Sequence, residues 1–325
     1  MTKNLSIKDL QINSKFTNEY FVLRDIEKKN SRQDKSYYNF QKGDKSGDIR
    51  GKVWSENMPF VDADLKTGDI VVVSGEVQEY AGKPQVIATQ IKKSTDMAPE
   101  EFMPVTTRDR TMMLDVLEKE INNIKNPYLK GLMDIFWNDP KWRDLYLNYP
   151  AAEYVHHAYV GGLLEHVFEM LELSRPFFRI YPNLDWDLFF CGLLLHDVGK
   201  LEEFEIQGAT VVRTFDGKLL GHIVQGALLV DRMVNKIDGF PDVLRTKLLH
   251  LILSHQGSLE YGSPVKPLML ESLILSYVDV NGAEMNQATK HIERAPDLGD
   301  NFTEYHKWLG RSLWIGDYYK QSTDS

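Results

Sequence analysis

Cys191-Gly-Leu-Leu-Leu-His-Asp-Val-Gly-Lys200 is an apolar run that ends in a histidine and an aspartate side by side. From Trp186 to Leu195 the residues are apolar at nearly every position except Asp187, so as a helix this stretch belongs at the centre of a domain. Burying His196 and Asp197 at its end is costly unless something compensates them. Gly199 reads as the left-handed residue that stops the helix, and Lys200 sets a cation beside the carboxylate. A bound metal ion is one compensation. A neutral core histidine hydrogen-bonded to its neighbour is the other, since a lone His-Asp pair is common. The rest of the chain has to decide between them.

The chain has 325 residues, enough for two domains, and its 42% hydrophobic content suits an ordinary globular protein. No apolar run is long enough to cross a membrane, and the polar N-terminus lacks the apolar core of a secretory signal. The one cysteine, Cys191, lies in the apolar helix, which excludes an intrachain disulfide and a thiolate zinc cluster and points to the cytoplasm. The net charge of −9 is uneven: residues 1–100 carry 16 basic and 15 acidic side chains, so a near-neutral first module precedes an acidic second one.

The first module reads as β. Tyr20–Ile26, Tyr37–Lys42, Asp48–Trp54, Asp69–Glu79 and Pro84–Lys92 are strand candidates, with turns at Gly43–Gly47 and Tyr80–Gly82. Five short strands, with a gap that permits a helix between the third and fourth, suggest a small closed barrel of the OB type. Alternation puts Ile49, Gly51 and Val53 on one face and Arg50, Lys52 and Trp54 on the other. It also turns Tyr38 and Phe40 inward and leaves Tyr37 and Asn39 outward. Two cations beside Trp54 and Tyr37 are suited to single-stranded nucleic acid, which offers phosphates to neutralise and bases to stack. Plain solvated strand residues, with Trp54 capping the barrel, would give the same pattern.

Residues 93–107 read as a linker, and from Arg108 onward the apolar spacing is helical. Met112–Leu117, Leu129–Trp137 and Trp142–Leu147 are helix candidates. A helix opening at Tyr154 carries His166, and a β-prone excursion at Thr210–Phe215 precedes His222. A helix after Pro241 ends at His255, and one over Leu268–Ala283 carries Asp279. Five helical segments thus each present a histidine or aspartate where an apolar residue is expected. Separate buried partners for all of them would be a demanding arrangement. Imidazole and carboxylate without thiolate suit manganese, iron, cobalt, zinc or magnesium ions, and two ions sharing Asp197 would use the whole set.

The ordered set His166, His196-Asp197, His222, His255, Asp279 resembles the metal-dependent HD phosphohydrolase superfamily in its two-metal form. His156-His-Ala-Tyr-Val-Gly-Gly-Leu-Leu-Glu-His166, Leu195-His-Asp-Val-Gly-Lys200, Gly221-His222, Ile252-Leu-Ser-His255 and Leu259-Glu-Tyr-Gly-Ser-Pro264 bring it closer to the YhaM-type 3′→5′ exoribonucleases. That resemblance implies a multi-domain α+β chain: an OB-fold nucleic-acid-binding domain over 1–92, a linker over 93–107 and an all-α HD domain over 108–325. It implies that His166, His196, Asp197 and Asp279 hold one metal, and that His222 and His255, with Asp197 bridging, hold the second. Manganese is the favoured ion. Lys200 steadies the bridging carboxylate or contacts the phosphate. The implied reaction is hydrolysis of single-stranded RNA from the 3′ end to nucleoside 5′-monophosphates by a hydroxide that two ions activate. Single-stranded DNA is left open as a second substrate and a homo-oligomer as the assembly.

The chain departs from the family at Gln256 and Ser276, where histidines are usual, and at Gly282 in the stretch after Asp279. These changes bear on the residues around the ligands and on substrate contacts. Gln256, Tyr261, His156 and His157 are candidate substrate contacts. The two histidines stand about 15 Å before His166 if the helix is continuous, unless Gly161-Gly162 bends the chain back. His250 reads as a packing residue, and His291 and His306 lie in polar surroundings. Two other functions fit the residues. One is an HD-type nucleotide or cyclic-nucleotide phosphohydrolase. The other is a single-stranded-DNA-binding replication factor with a degenerate HD domain.

Overall fold

The computed structural model describes residues 5–30, 35–98, 101–152, 157, 159–293, 295 and 301–316. The chain forms two compact units, one of Met1–Val105 with Phe204–Thr214, the other of Thr106–Glu203 with Phe215–Ser325.

In the first unit, β1 (Lys15–Asn30), β2 (Ser36–Asp44), β3 (Gly47–Val53), β4 (Ile70–Tyr80) and β5 (Lys83–Lys93) close into a barrel in the order β1-β2-β3-β5-β4. The β3–β5 pairing is parallel and the rest are antiparallel. Closure gives every strand two partners and leaves no free edge. Ile49, Gly51 and Val53 are buried and Arg50 and Trp54 exposed, as alternation along β3 requires. The same rule turns Lys42 inward, and its ammonium lies 3.3 Å from the Phe21 ring centroid and 4.0 Å from that of Phe16. The β4–β5 turn places Ala81 and Gly82 at φ 52° and 77°, the geometry a two-residue hairpin asks for. The gap between β3 and β4 contains only a short 3₁₀ turn, Met58–Phe60.

Gly51 is required by packing, because a Cβ there would lie 2.2 Å from the Phe40 ring. Gly51→Ala is therefore expected to destabilise the barrel by about 1–3 kcal/mol through overpacking. A urea midpoint unchanged from wild type would show that Phe40 can move aside.

The second unit is helical: α1 (Arg110–Asn123), α2 (Pro127–Trp137), α3 (Pro140–Asn148), α4 (Gly162–Ile180), α5 (Trp186–Leu195), α6 (Lys200–Glu203), α7 (Phe215–Val234), α8 (Asp242–Ser254) and α9 (Leu270–Glu293). Asp109, Asn126, Asp139 and Asp185 cap the first, second, third and fifth by accepting from amides of the first turn. Phe189, Phe190, Leu193 and Leu195 of α5 are fully buried, as its apolar sequence demands.

Several expectations change. Helix α4 starts at Gly162 rather than Tyr154. Gly161 is left-handed at φ 79°, and the His157 carbonyl comes so near Gly162 that a Cβ there would lie 1.9 Å from it. The chain turns back at this point instead of running on as one helix. Gly199 does not have the left-handed backbone expected of a helix stop. Its smallness serves packing: a Cβ would meet the His222 carbonyl oxygen at 1.9 Å and the Gly226 amide nitrogen at 2.5 Å. Helix α7 is broken at Gly221 (φ 70°, ψ 162°), so His222 opens its second half. Within the 93–107 stretch, Phe102 and Met103 are buried.

The β-prone excursion is the second strand of a hairpin, β6 (Phe204–Gln207) with β7 (Thr210–Arg213), and it belongs to the barrel unit. Gly68 and Gly208 meet there backbone to backbone, so a Cβ on either would lie 2.1 Å from a carbonyl oxygen. Arg24 donates to the Ala209 carbonyl at 2.6 Å. The region read as all-α therefore contributes two strands to the barrel unit.

Candidate metal centre and nucleic-acid face

In the helical unit, α4 contributes His166, the end of α5 His196 and Asp197, the second half of α7 His222, the end of α8 His255, and α9 Asp279. These side chains gather on the two oxygens of Asp197. Its Oδ2 lies 3.2 Å from His196 Nε2, 3.9 Å from His166 Nε2 and 2.5 Å from Lys200 Nζ. Its Oδ1 lies 3.5 Å from His222 Nε2 and 3.7 Å from His255 Nε2. Asp279 joins the Oδ2 side, with its Oδ1 3.2 Å from His166 Nε2.

The outer ring nitrogens explain why Nε2 points inward. His196 Nδ1 donates to the Leu193 carbonyl at 2.8 Å and His255 Nδ1 to the Ile252 carbonyl at 2.6 Å, each one turn back along the helix. His222 Nδ1 instead meets Glu203 Oε2 at 3.2 Å. A proton held on Nδ1 leaves the Nε2 lone pair free for ligation. Burial would raise the Asp197 carboxyl pKa, but Lys200 and then His196 and His222 outweigh it and hold it well below the carboxylate range. Asp279 is likewise lowered: burial opposes, and the hydrogen bond to His166 together with the neighbouring imidazoles prevails. Burial, with His196 alongside, brings the His255 imidazole down to about 4, so it is neutral at pH 7.

Two groups of ligand atoms lie within 4.8 Å of one another and could hold a metal: His166, His196 and Asp197, and Asp197, His222 and His255. The donor set fits a divalent cation. Among the described residues, His196 Nε2, Asp197 Oδ1 and His222 Nε2 are buried without a hydrogen-bond partner, and such atoms are costly unless an ion takes them.

His157, Glu165 and Glu169 also bring ligand atoms within 4.8 Å of one another. There, however, Arg108 already meets Glu165 Oε1 at 3.1 Å and Glu169 Oε1 at 2.6 Å. Thr106 donates to Glu165 Oε2, and His157 Nε2 meets Glu169 Oε2 at 3.1 Å. This group is a brace beside the centre, already occupied by its own ion pairs and hydrogen bonds, with the His157 ring centroid 5.3 Å from that of His166. The turn at Gly161-Gly162 brings His157 there, where a continuous helix would have kept it away.

The remaining candidates scatter. His156 lies outside the described residues. Gln256 places its Nε2 3.1 Å from His255 Nε2. Tyr261 is exposed on a short 3₁₀ turn. His250 accepts from the Leu268 amide at 3.0 Å and so ties a loop. The Ser276 hydroxyl is spent on the Leu273 carbonyl of its own helix at 3.0 Å, and Gly282 stands where a Cβ would come within 3.9 Å of His166 Nδ1. His291 Nε2 donates to the Glu304 carbonyl at 2.8 Å and so acts as a tether, with the His306 ring edge-on to it.

On the barrel, Tyr37 and Trp54 lie with ring centroids 5.6 Å apart. Lys52 Nζ sits 5.7 Å from the Tyr37 ring, 5.1 Å from Trp54 and 5.2 Å from Tyr80. Arg50 is exposed on the same strand face. Sequence reasoning missed two residues. Tyr80 registers in sequence only as a turn flank, and its place beside Lys52 depends on barrel closure. Nothing in the sequence singles out Glu203, which is 3% exposed.

Residues 22–93 match the family described as OB-fold nucleic acid binding domain, and residues 163–281 match the family described as HD domain. The chain is thus a closed five-stranded OB-fold barrel followed by a helical region that matches the HD domain. Solved structures with some similarity include a domain of replication protein A from Methanococcus maripaludis, 27% identical, covering 28% of this chain and 93% of that one at a TM-score of 0.24. The second OB-fold domain of replication protein A from the same organism is 22% identical, covering 29% and 97%, also at 0.24. No helix among the described residues is long and apolar enough to cross a membrane.

Proposed function

We propose that this protein is a metal-dependent 3′→5′ exoribonuclease that degrades single-stranded RNA to nucleoside 5′-monophosphates. The observation that carries this reading is the division of four imidazoles over the two oxygens of Asp197, His166 and His196 on Oδ2 and His222 and His255 on Oδ1. A bridging carboxylate with ligands on both sides suits a pair of divalent ions, for which manganese is the expected choice.

Bound there, the ions would lower the pKa of water and stabilise charge on the leaving oxygen. The protein's own part is to place them. Asp197 would offer one oxygen to each, Lys200 holds Asp197 by an ion pair, and Asp279 anchors His166. In the reaction a water oxygen attacks phosphorus and the P–O bond to the penultimate nucleotide's 3′-oxygen breaks, releasing a 5′-monophosphate. Tyr37 and Trp54 would stack bases while Arg50 and Lys52 neutralise phosphates, a division of labour common in single-strand binding.

A time course with 3′- and 5′-labelled single-stranded RNA, with manganese or with chelator, tests the reading. Manganese-dependent release of mononucleotides from the 3′ end is expected. Equal turnover of free nucleotides would instead indicate a nucleotide phosphohydrolase. A gel shift without cleavage would indicate a binding protein. Lys52→Ala should weaken RNA binding about equally across sequences and lower the salt slope of log K by about 0.7, the increment for one single-strand phosphate contact. An unchanged slope would remove Lys52 from the interface.

A further inference from the structure

The two imidazoles on the Oδ1 side of Asp197 have side-chain partners of opposite consequence. Glu203 Oε2 takes His222 Nδ1 at 3.2 Å, which leaves Nε2 as the ligating atom. Gln256 meets His255 at Nε2, the ligating atom itself, at 3.1 Å. Because His255 Nδ1 donates to the Ile252 carbonyl, its Nε2 can only accept, and the Gln256 amide is the donor. On the other side, His196 Nε2 finds no hydrogen-bond partner among the described residues. That side also has two carboxylates, Asp197 and Asp279, where the Oδ1 side has only its share of Asp197.

We infer that Glu203 and Gln256 set the affinity of the second metal site in opposite directions, Glu203 as a positioning residue that holds His222 ready and Gln256 as a competitor that caps His255. The second ion is thereby the weaker and more exchangeable of the two. The inference rests on the two-metal reading above and goes beyond it, since neither residue is a ligand.

The position of Glu203 is built in. Gly217 lets α7 lie against the end of α6, so that a Cβ on Gly217 would be 2.3 Å from the Glu203 carbonyl oxygen. Gly199 brings the His222 backbone equally close to the turn before α6. With both backbones in contact, the short reach from Glu203 to His222 is fixed by packing rather than by side-chain choice.

The test is a manganese titration of the full-length protein, followed by calorimetry and by the electron paramagnetic resonance of free manganese. In wild type two binding events of unequal affinity are expected. Glu203→Ala should weaken the second event about 10–100-fold, the usual cost of removing a residue that orients a ligand. Glu203→Gln, whose carbonyl oxygen can still accept from Nδ1, should recover most of it. Gln256→Ala should tighten the second event by about 3–10-fold, the scale of one neutral hydrogen bond. The first event should stay within error in all three variants. A general loss of folding weakens both events and tightens neither, so the opposite signs distinguish positioning from damage. Two events in wild type that respond to neither residue would overturn this inference and leave the two-metal reading standing. Fewer than two events in wild type would overturn both.

Discussion

Asp197→Asn is expected to lower turnover of single-stranded RNA by well over about 100-fold and to remove manganese binding at both sites, while far-UV circular dichroism stays that of wild type. Residues that merely support a ligand cost about 10–100-fold, and Asp197 is the carboxylate on which both ligand groups converge. Asparagine keeps the shape and one acceptor oxygen for Lys200, whose Nζ lies 2.5 Å from the native carboxylate. Alanine would leave that buried ammonium unpaired, a loss on the order of 3–5 kcal/mol that would mix unfolding with lost chemistry. Substantial hydrolysis by the asparagine variant, with its manganese content measured alongside, would sink the bridging role. Loss of activity with both ions retained would point to Asp197 acting on the substrate instead.

Gly199→Ala should be among the most damaging single methyls in the helical unit. The added Cβ would fall 1.9 Å from the His222 carbonyl oxygen and 2.5 Å from the Gly226 amide nitrogen. Both are backbone atoms that cannot rotate away, so α7 has to move as a body. Overpacking of this kind costs about 3 kcal/mol or more where relaxation is blocked. His222 and its contact with Glu203 move with the helix, so the variant should lose the second manganese ion even where it remains folded. The urea midpoint and the manganese stoichiometry check both halves. A shift equivalent to less than about 0.5 kcal/mol, within the range of ordinary surface changes, would mean that the α6–α7 contact is soft.

Much of the site is written locally. His166, His196, Asp197, His255 and Asp279 are buried, and each lies in or at the end of a helix with an apolar stripe, so its burial follows from the pattern around it, while His222 is half-buried. The barrel was equally legible. Period-two alternation along β3 separates Ile49 and Val53 from Arg50 and Trp54, and the Ala81-Gly82 turn marks the β4–β5 hairpin. Glycines are less legible, because a sequence shows only that a Cβ is missing and not why. Gly199 suggests a helix stop, whereas its role is to admit the backbone of a helix about 20 residues further on.

Most of the helices and strands, the faces they bury and the placing of ligand-type residues in apolar helical segments are legible in the sequence alone. Those properties follow from periodicity and capping within a single element. Tertiary structure alone decided how the six divide over the two oxygens of Asp197, that Glu203 rather than a backbone carbonyl orients His222, and that Gln256 lies on the ligating nitrogen of His255. It also decided that the hairpin Phe204–Thr214 joins the barrel unit. Each of these depends on the approach of elements distant along the chain. That approach is set by backbone contacts at Gly68, Gly199, Gly208 and Gly217, where packing and not local preference chooses the partner.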